Sequence, residues 1–275
     1  PGGRPMSWLV VARKDFEDAI RSRWLLGLTA LFVGLVSLIA ALSLPPQGQT
    51  VSTNAMLGGG FVGLLSGTLA PLIALVIAYN AVTGERESGS LKLLLSLPHS
   101  RADVVFGKVA GRSAALSTAI IVGFVVPAVI LAFGPLRLDV LTYIGYTLLV
   151  ALLVSVFVAI AVGWSAAAPS QRIALAGAIG LYFLFVPFWD AIRIPLQLAL
   201  GSLPEWVPVS ATAISNALFV FNPASAVQGL TAALLRGQFL SGETAGLQLS
   251  AISMLLFWLL AAPLVGLFVF QRRDL

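Results

Sequence analysis

Six times along this chain apolar residues run for about the length of a membrane crossing, at approximately 24–44, 57–82, 113–134, 140–166, 172–190 and 247–270. A hydrocarbon core about 30 Å thick takes roughly 20 residues of helix to cross. Charge is absent from the interiors of these stretches, and Asp190 stands at an edge. The pattern predicts an all-α polytopic membrane protein with six transmembrane helices in a single transmembrane domain over 24–275.

Polar positions fall between the spans in three places. Residues 7–23, "SWLVVARKDFEDAIRSR", put Trp8, Val11, Ala12, Phe16, Ala19 and Ile20 at helical spacing. Arg13–Glu17, Lys14–Asp18 and Glu17–Arg21 are opposite charges four apart. An amphipathic helix lying in the interface is expected here, as an ordinary juxtamembrane element or a docking one. Residues 191–246 alternate short apolar pieces with Pro195, Pro204, Pro208 and Pro223. They suit re-entrant or interfacial helices before the last span, because non-helical backbone at depth must be covered by protein. The third place is the loop at 83–112.

Composition agrees with the pattern. The chain is 59% hydrophobic and 10% charged, against about 25% charged in a soluble domain. It has no cysteine and one histidine, His99. Disulfides, thiolate metal sites and cysteine nucleophiles are excluded, and a histidine-built metal site has no ligands. No metal site and no catalytic residue is expected, and the chain does not read as a stand-alone enzyme. Met6 reads like an initiator preceded by extra sequence. Ala41-Leu42-Ser43 has the outline of a cleavage site, but the run before it exceeds the 7–15 residues of a signal-peptide core. A retained span is expected.

Charge orients the spans. With the N-terminus cytoplasmic, thirteen of the sixteen basic residues fall inside, leaving only Arg137, Arg193 and Arg236 outside. The positive-inside rule therefore places both termini in the cytoplasm, in a plasma-membrane protein.

Residues 79–112, "YNAVTGERESGSLKLLLSLPHSRADVVFGKVAGR", hold five of the basic residues and three of the eleven acidic ones. Ser90 is an N-cap candidate for a helix over "SLKLLLSL", with Glu85 and Glu87 just before it and Pro98 after. Ser100 and Asp103 have capping-box spacing for the helix that leads into the third span. Gly84 and Gly89 share the spacing of P-loop glycines, but Ser90-Leu91 follows where Lys-Ser/Thr is required. No Walker A sequence occurs, so any nucleotide is bound by another subunit. A short helix with charged ends and leucines along it fits a groove on a partner; it equally fits the bilayer surface with Leu91, Leu93, Leu94 and Leu95 in lipid.

"GERESGSLKLLLSLPHSRADVVFGK" resembles the signature loop of ABC-2 type permeases, the membrane subunits of one class of ABC transporters. "ARKDFEDAIRSRWLLGLTALFV" is similar to the family's opening, and "FNPASAVQGL" to an Asn-Pro element before its last span. "PLIALVIAYNAVTGERESGSL" looks like the branch that matures nitrous-oxide reductase. Relatives often carry more acidic residues where Asn80 and Arg86 stand here, so no substrate is carried over. The resemblance implies a permease subunit that homodimerises, with a separate ATPase docked on each copy and holding ATP and Mg. It implies an ATPase-coupling role for Glu85, Arg86, Glu87, Gly89, Ser90, Leu91, Lys92, Leu93, Leu94 and Leu95. It leaves Arg101 and Lys108 to topology.

Small residues recur every four positions at Gly59, Gly63 and Gly67, and at Ala151, Ser155, Ala159, Gly163 and Ala167. Such stripes allow close helix packing within one chain or a dimer seam. Pro71, Pro127 and Pro187 are expected to kink their spans. The uncharged spans argue against a proton- or sodium-coupled carrier and suit an apolar, amphiphilic or weakly polar substrate. Two functions follow: the permease subunit of an ATP-driven exporter, or a membrane scaffold that moves nothing.

Overall fold

The computed structural model describes residues 7–42, 52–58, 62–63, 65–96, 99–132, 139–201 and 210–272. Gly59, Pro98, Pro204 and Pro208, with Met6, Arg4, Arg137 and Arg273, lie outside them.

The described residues form thirteen α-helices. In order they are α1 (Ser7–Ile20), α2 (Arg23–Leu42), α3 (Thr53–Gly58), α4 (Ala70–Ala78), α5 (Thr83–Glu87), α6 (Ser90–Ser96), α7 (Arg101–Ala132), α8 (Val140–Ala167), α9 (Gln171–Phe185), α10 (Trp189–Gly201), α11 (Ala211–Phe221), α12 (Pro223–Leu235) and α13 (Ala245–Gln271). A π-helical turn, Leu65–Leu69, precedes α4.

Four stretches are long and apolar enough to cross a membrane alone: Ser66–Glu87, Arg101–Val129, Val140–Ala167 and Ala245–Gln271. The number reaches seven if each of three bent helix pairs counts as a span. The expected first span is the second half of such a pair, α1 and α2, bent by 64°. The expected fifth span breaks at Pro187 into α9 and α10, bent by 48°, because proline's ring clashes with the preceding turn. The 191–246 segment is helical over α11 and α12, which meet at 102°.

In the second span the described helical run Ser66–Glu87 opens on a π-helical turn. Pro71 has no N–H for the carbonyl of Gly67 and crowds it, so the turn widens there. By contrast, Pro127 sits inside an unbroken α7.

The core is α8, whose apolar stretch is 78% buried. In lipid, helices gain little from hydrophobic burial and associate through close packing and hydrogen bonds. Both occur around α8. The Tyr143 hydroxyl donates to the Phe124 carbonyl on α7 at 2.7 Å, and that of Tyr146 donates to Ser66 Oγ at 2.9 Å. The ring of Phe124 meets Phe32, Tyr143 and Tyr146 edge-on. Gly163 and Gly266 bring α8 against α13 so closely that a Cβ on Gly163 would strike the Ala262 carbonyl, and one on Gly266 the Gly163 carbonyl.

Local sequence sets the helix starts. Asp139 caps α8 by accepting from Leu141 N and Thr142 N. Ser100 and Asp103 form the expected capping box on α7, with Ser100 N donating to Asp103 Oδ2 at 2.8 Å and Asp103 N to Ser100 Oγ at 3.1 Å. Asn222 caps α12 through Ala224 N and Ser225 N, and Pro223 opens that helix. The buried Asn222 amide also donates to the Phe185 carbonyl at 2.8 Å, tying the Asn-Pro element to the end of α9.

Candidate functional site: the charged loop and the helix ends around it

The sequence expectation of one helix over 90–97, capped by Ser90 with Glu85 and Glu87 just before it, needs revision. Glu85, Arg86 and Glu87 are themselves helical, in α5. Gly89 then turns the chain at φ +78°, a conformation that costs an L side chain roughly 1–2 kcal/mol. Ser90 is the first residue of α6 rather than its cap, and its hydroxyl donates back to the Glu85 carbonyl at 3.4 Å.

α5 is fastened on every side. The backbone N–H groups of Val82 and Thr83 both donate to Ser165 Oγ near the end of α8, at 3.1 and 3.2 Å. Arg86 donates to the carbonyls of Ala168 and Ala166 at 2.8 and 3.2 Å, where the α8 dipole presents its negative end. Its guanidinium also lies 5.5 Å from the Phe270 ring centre at the end of α13. Glu87 Oε1 accepts from Gln171 N at 2.7 Å, where α9 presents its positive end.

Glu85 joins a buried ionic cluster. Lys108 Nζ on α7 donates to Glu85 Oε1 at 2.8 Å and to Asp15 Oδ1 on α1 at 3.2 Å. Arg112, one turn further, donates to Asp15 Oδ2 at 3.1 Å and to the Ile77 carbonyl at 2.7 Å. The Lys108 side chain is 3% exposed and that of Asp15 9%. Two cations meet two carboxylates, so the cluster is neutral overall, the condition under which charges can be buried. Lys108 therefore holds α1, α5 and α7 together, beyond any part in topology. Arg101 likewise donates to the Phe270 carbonyl and lies 5.0 Å from its ring centre.

α1 lies along α7 with no room to spare. A Cβ on Gly107 would stand 2.7 Å from Val11 Cβ, and one on Gly111 would strike the Ala12 carbonyl. Of the three ion pairs expected along α1, Arg13–Glu17 forms at 3.0 Å. Lys14–Asp18 and Glu17–Arg21 do not form among the described residues. Asp15, which sequence reasoning passed over, is the acid that matters. Its signal was readable: a carboxylate four residues after Val11, on the apolar face, where burial demands a cation.

The ten residues proposed for coupling thus divide. Glu85, Arg86 and Glu87 are spent on contacts within the chain, and Leu91 is buried at the root of α6. Leu94 and Leu95 are half-buried, while Lys92 and Leu93 project, with Leu93 73% exposed. Of the small-residue stripes, Ala151, Ala159 and Gly163 are buried against helices of the same chain, and Ser155 faces Ser117 on α7 at 3.3 Å. Gly63 and Gly67 face open space.

These features define a helical membrane protein with a buttressed, charged loop at one end of its bundle. Comparison with known proteins gives the family. The pattern of the ABC-2 family transporter proteins matches residues 9–275, and the chain belongs to that family. It is 36% identical over 213 residues to a probable ABC transporter permease protein NosY from Pseudomonas aeruginosa, covering 74% of this chain and 76% of that one. It is 34% identical over 204 residues to the NosY protein of Stutzerimonas stutzeri, covering 72% and 74%.

Proposed function

We propose that this chain is the permease subunit of an ATP-driven exporter in the plasma membrane, with both termini cytoplasmic. Two copies form the pathway, and a separate ATPase, carrying ATP and Mg, docks on the 83–112 loop of each. The observation that carries this reading is the pairing of a projecting α6 with an anchored α5. Lys92 and Leu93 stand out from the loop, while its base grips α1, α7, α8, α9 and α13. A push on the exposed leucine reaches five helices through a short, rigid segment. An anchored lever of this kind converts docking into movement, whereas a loop resting on lipid needs no such grip.

The test is co-expression with a candidate ABC ATPase subunit from the same genome, followed by purification and ATP hydrolysis. Wild-type chain is expected to form a hydrolysing complex with it. Leu93→Asp leaves thermal stability within about 0.5 kcal/mol, as for most surface substitutions, yet lowers coupled transport by at least about tenfold, the effect of losing roughly 1.4 kcal/mol at an interface anchor. Transport at the wild-type rate by Leu93→Asp would remove α6 from the docking site. A well-folded wild-type chain that captures no ATPase would favour the scaffold.

A further inference from the structure

At the end of the bundle remote from the charged loop lies a cavity of about 760 Å³ between the π-turn, α8, α10 and α12. We propose that it binds the transported solute, and that this solute is uncharged, with a hydrogen-bonding group beside an apolar flank. The proposal rests on the permease reading for the word "transported"; the cavity's chemistry stands by itself.

The volume falls in the usual range of small-molecule sites, roughly 300–1,000 Å³. Its floor includes the π-turn, and such turns gather at functional sites because they widen a helix and bare its backbone. There Gly67 has nothing within 4 Å of where a Cβ would stand, so the space is real. Two polar side chains on the walls are uncommitted. Gln228 and Thr231, three residues apart on α12, line the cavity and make no side-chain hydrogen bond within the described residues. The rings of Phe185 and Trp189 supply an apolar wall beside them.

Charge decides the class. Among the described residues the lining carries two charged residues, Asp190 and Arg236. Asp190 is engaged by Arg193 at 2.9 Å, and Arg236 is exposed just past the end of α12. The rest is hydroxyl, amide and hydrocarbon. An ion entering would lose its hydration without gaining a buried counter-charge, whereas a neutral solute loses little and is offered the Gln228 amide and the Thr231 hydroxyl.

The absence of native cysteine makes the test direct. Thr231→Cys and Gln228→Cys, with Glu243→Cys in an exposed loop as reference, are placed in lipid nanodiscs together with the partner ATPase. Each is titrated with three methanethiosulfonates of similar size: 2-hydroxyethyl, 2-(trimethylammonium)ethyl and 2-sulfonatoethyl. Relative to position 243, the neutral reagent is expected to react at 231 and 228 at least about tenfold faster than either ion. Vanadate trapping of the ATPase is expected to change that neutral rate about threefold or more. Equal rates, or faster reaction of an ion, overturn the neutral-solute assignment. No reaction at 231 and 228 while 243 reacts means the space is filled by lipid or a second copy, and overturns the site. Selective labelling that ignores vanadate removes the cavity from the transport cycle, without touching the Leu93→Asp result. Failure of the ATPase to assemble, with selective labelling intact, sinks the permease reading and leaves a neutral-ligand site.

Discussion

At the scale of single residues, the buried charges carry the sharpest consequences. Lys108 sits between Glu85 and Asp15 with its side chain 3% exposed, so removing it leaves carboxylates in a low-dielectric place with one cation too few. Breaking such a pair typically costs about 3–5 kcal/mol. Arg112 still holds Asp15, and Glu85 keeps some access to solvent, so about 3 kcal/mol is expected for Lys108→Met. Urea unfolding of the detergent-solubilised chain measures it. In a double-mutant cycle with Asp15→Asn, a coupling of about 1–3 kcal/mol is expected; zero coupling would mean that the contact carries no energy. At the other end, Asp139 has its pKa lowered below 3.8, first by the hydrogen bond from the Thr142 hydroxyl and then by the Thr142 backbone N–H. A depressed carboxyl stabilises the fold above its unfolded pKa, and the contribution fades as pH falls through the folded value. Thr142→Val removes the largest cause, so infrared titration of the Asp139 carboxylate should move up toward 3.8. The cap could be read from Asp139 preceding an apolar run. The burial of Asp15 could not, because which face of α1 meets α7 depends on residues almost a hundred positions away.

At the scale of elements, glycine separates two kinds of helix contact. Gly163 lies backbone to backbone against α13, where nothing can yield, so Gly163→Val is expected to cost about 3 kcal/mol, the upper end for overpacking. Gly180 on α9 has nothing within 4 Å of a would-be Cβ, so Gly180→Ala should be neutral or stabilise by up to about 1 kcal/mol through helix propensity. Thermal unfolding of both variants decides it; equal losses would mean that α8 and α13 do not meet at Gly163. The stripe through Ala151, Ser155, Ala159 and Gly163 was legible as a packing surface, since only small residues permit such approach. What it packs on was not, because Ala262 and Gly266 on α13 lie about a hundred positions away and local sequence does not say which helices meet.

At the scale of the whole molecule, the two ends are built for different work. The charged-loop end binds helix termini to one another with ion pairs and carbonyl contacts, so movement there is shared. The remote end sets the bent pair α9 and α10 and the short α12 around a cavity with spare hydrogen-bonding groups. A single chain with a grip at one end and a hollow at the other suits transmission of force along its long helices, α7, α8 and α13, and gives physical content to membership of a transporter family. By itself the sequence determined the class, the helical content, the capping of α7, and the place of the charged loop. Those properties follow from hydropathy, side-chain caps and charge, which act over a few residues. Only the tertiary structure decided that Glu85, Arg86 and Glu87 face inward while Leu93 faces out. It alone brought Asp15 to Lys108, and gathered Gln228 and Thr231 about a cavity. Each of these depends on how helices distant in sequence cross, and the crossing is set by packing in three dimensions, which no local pattern records.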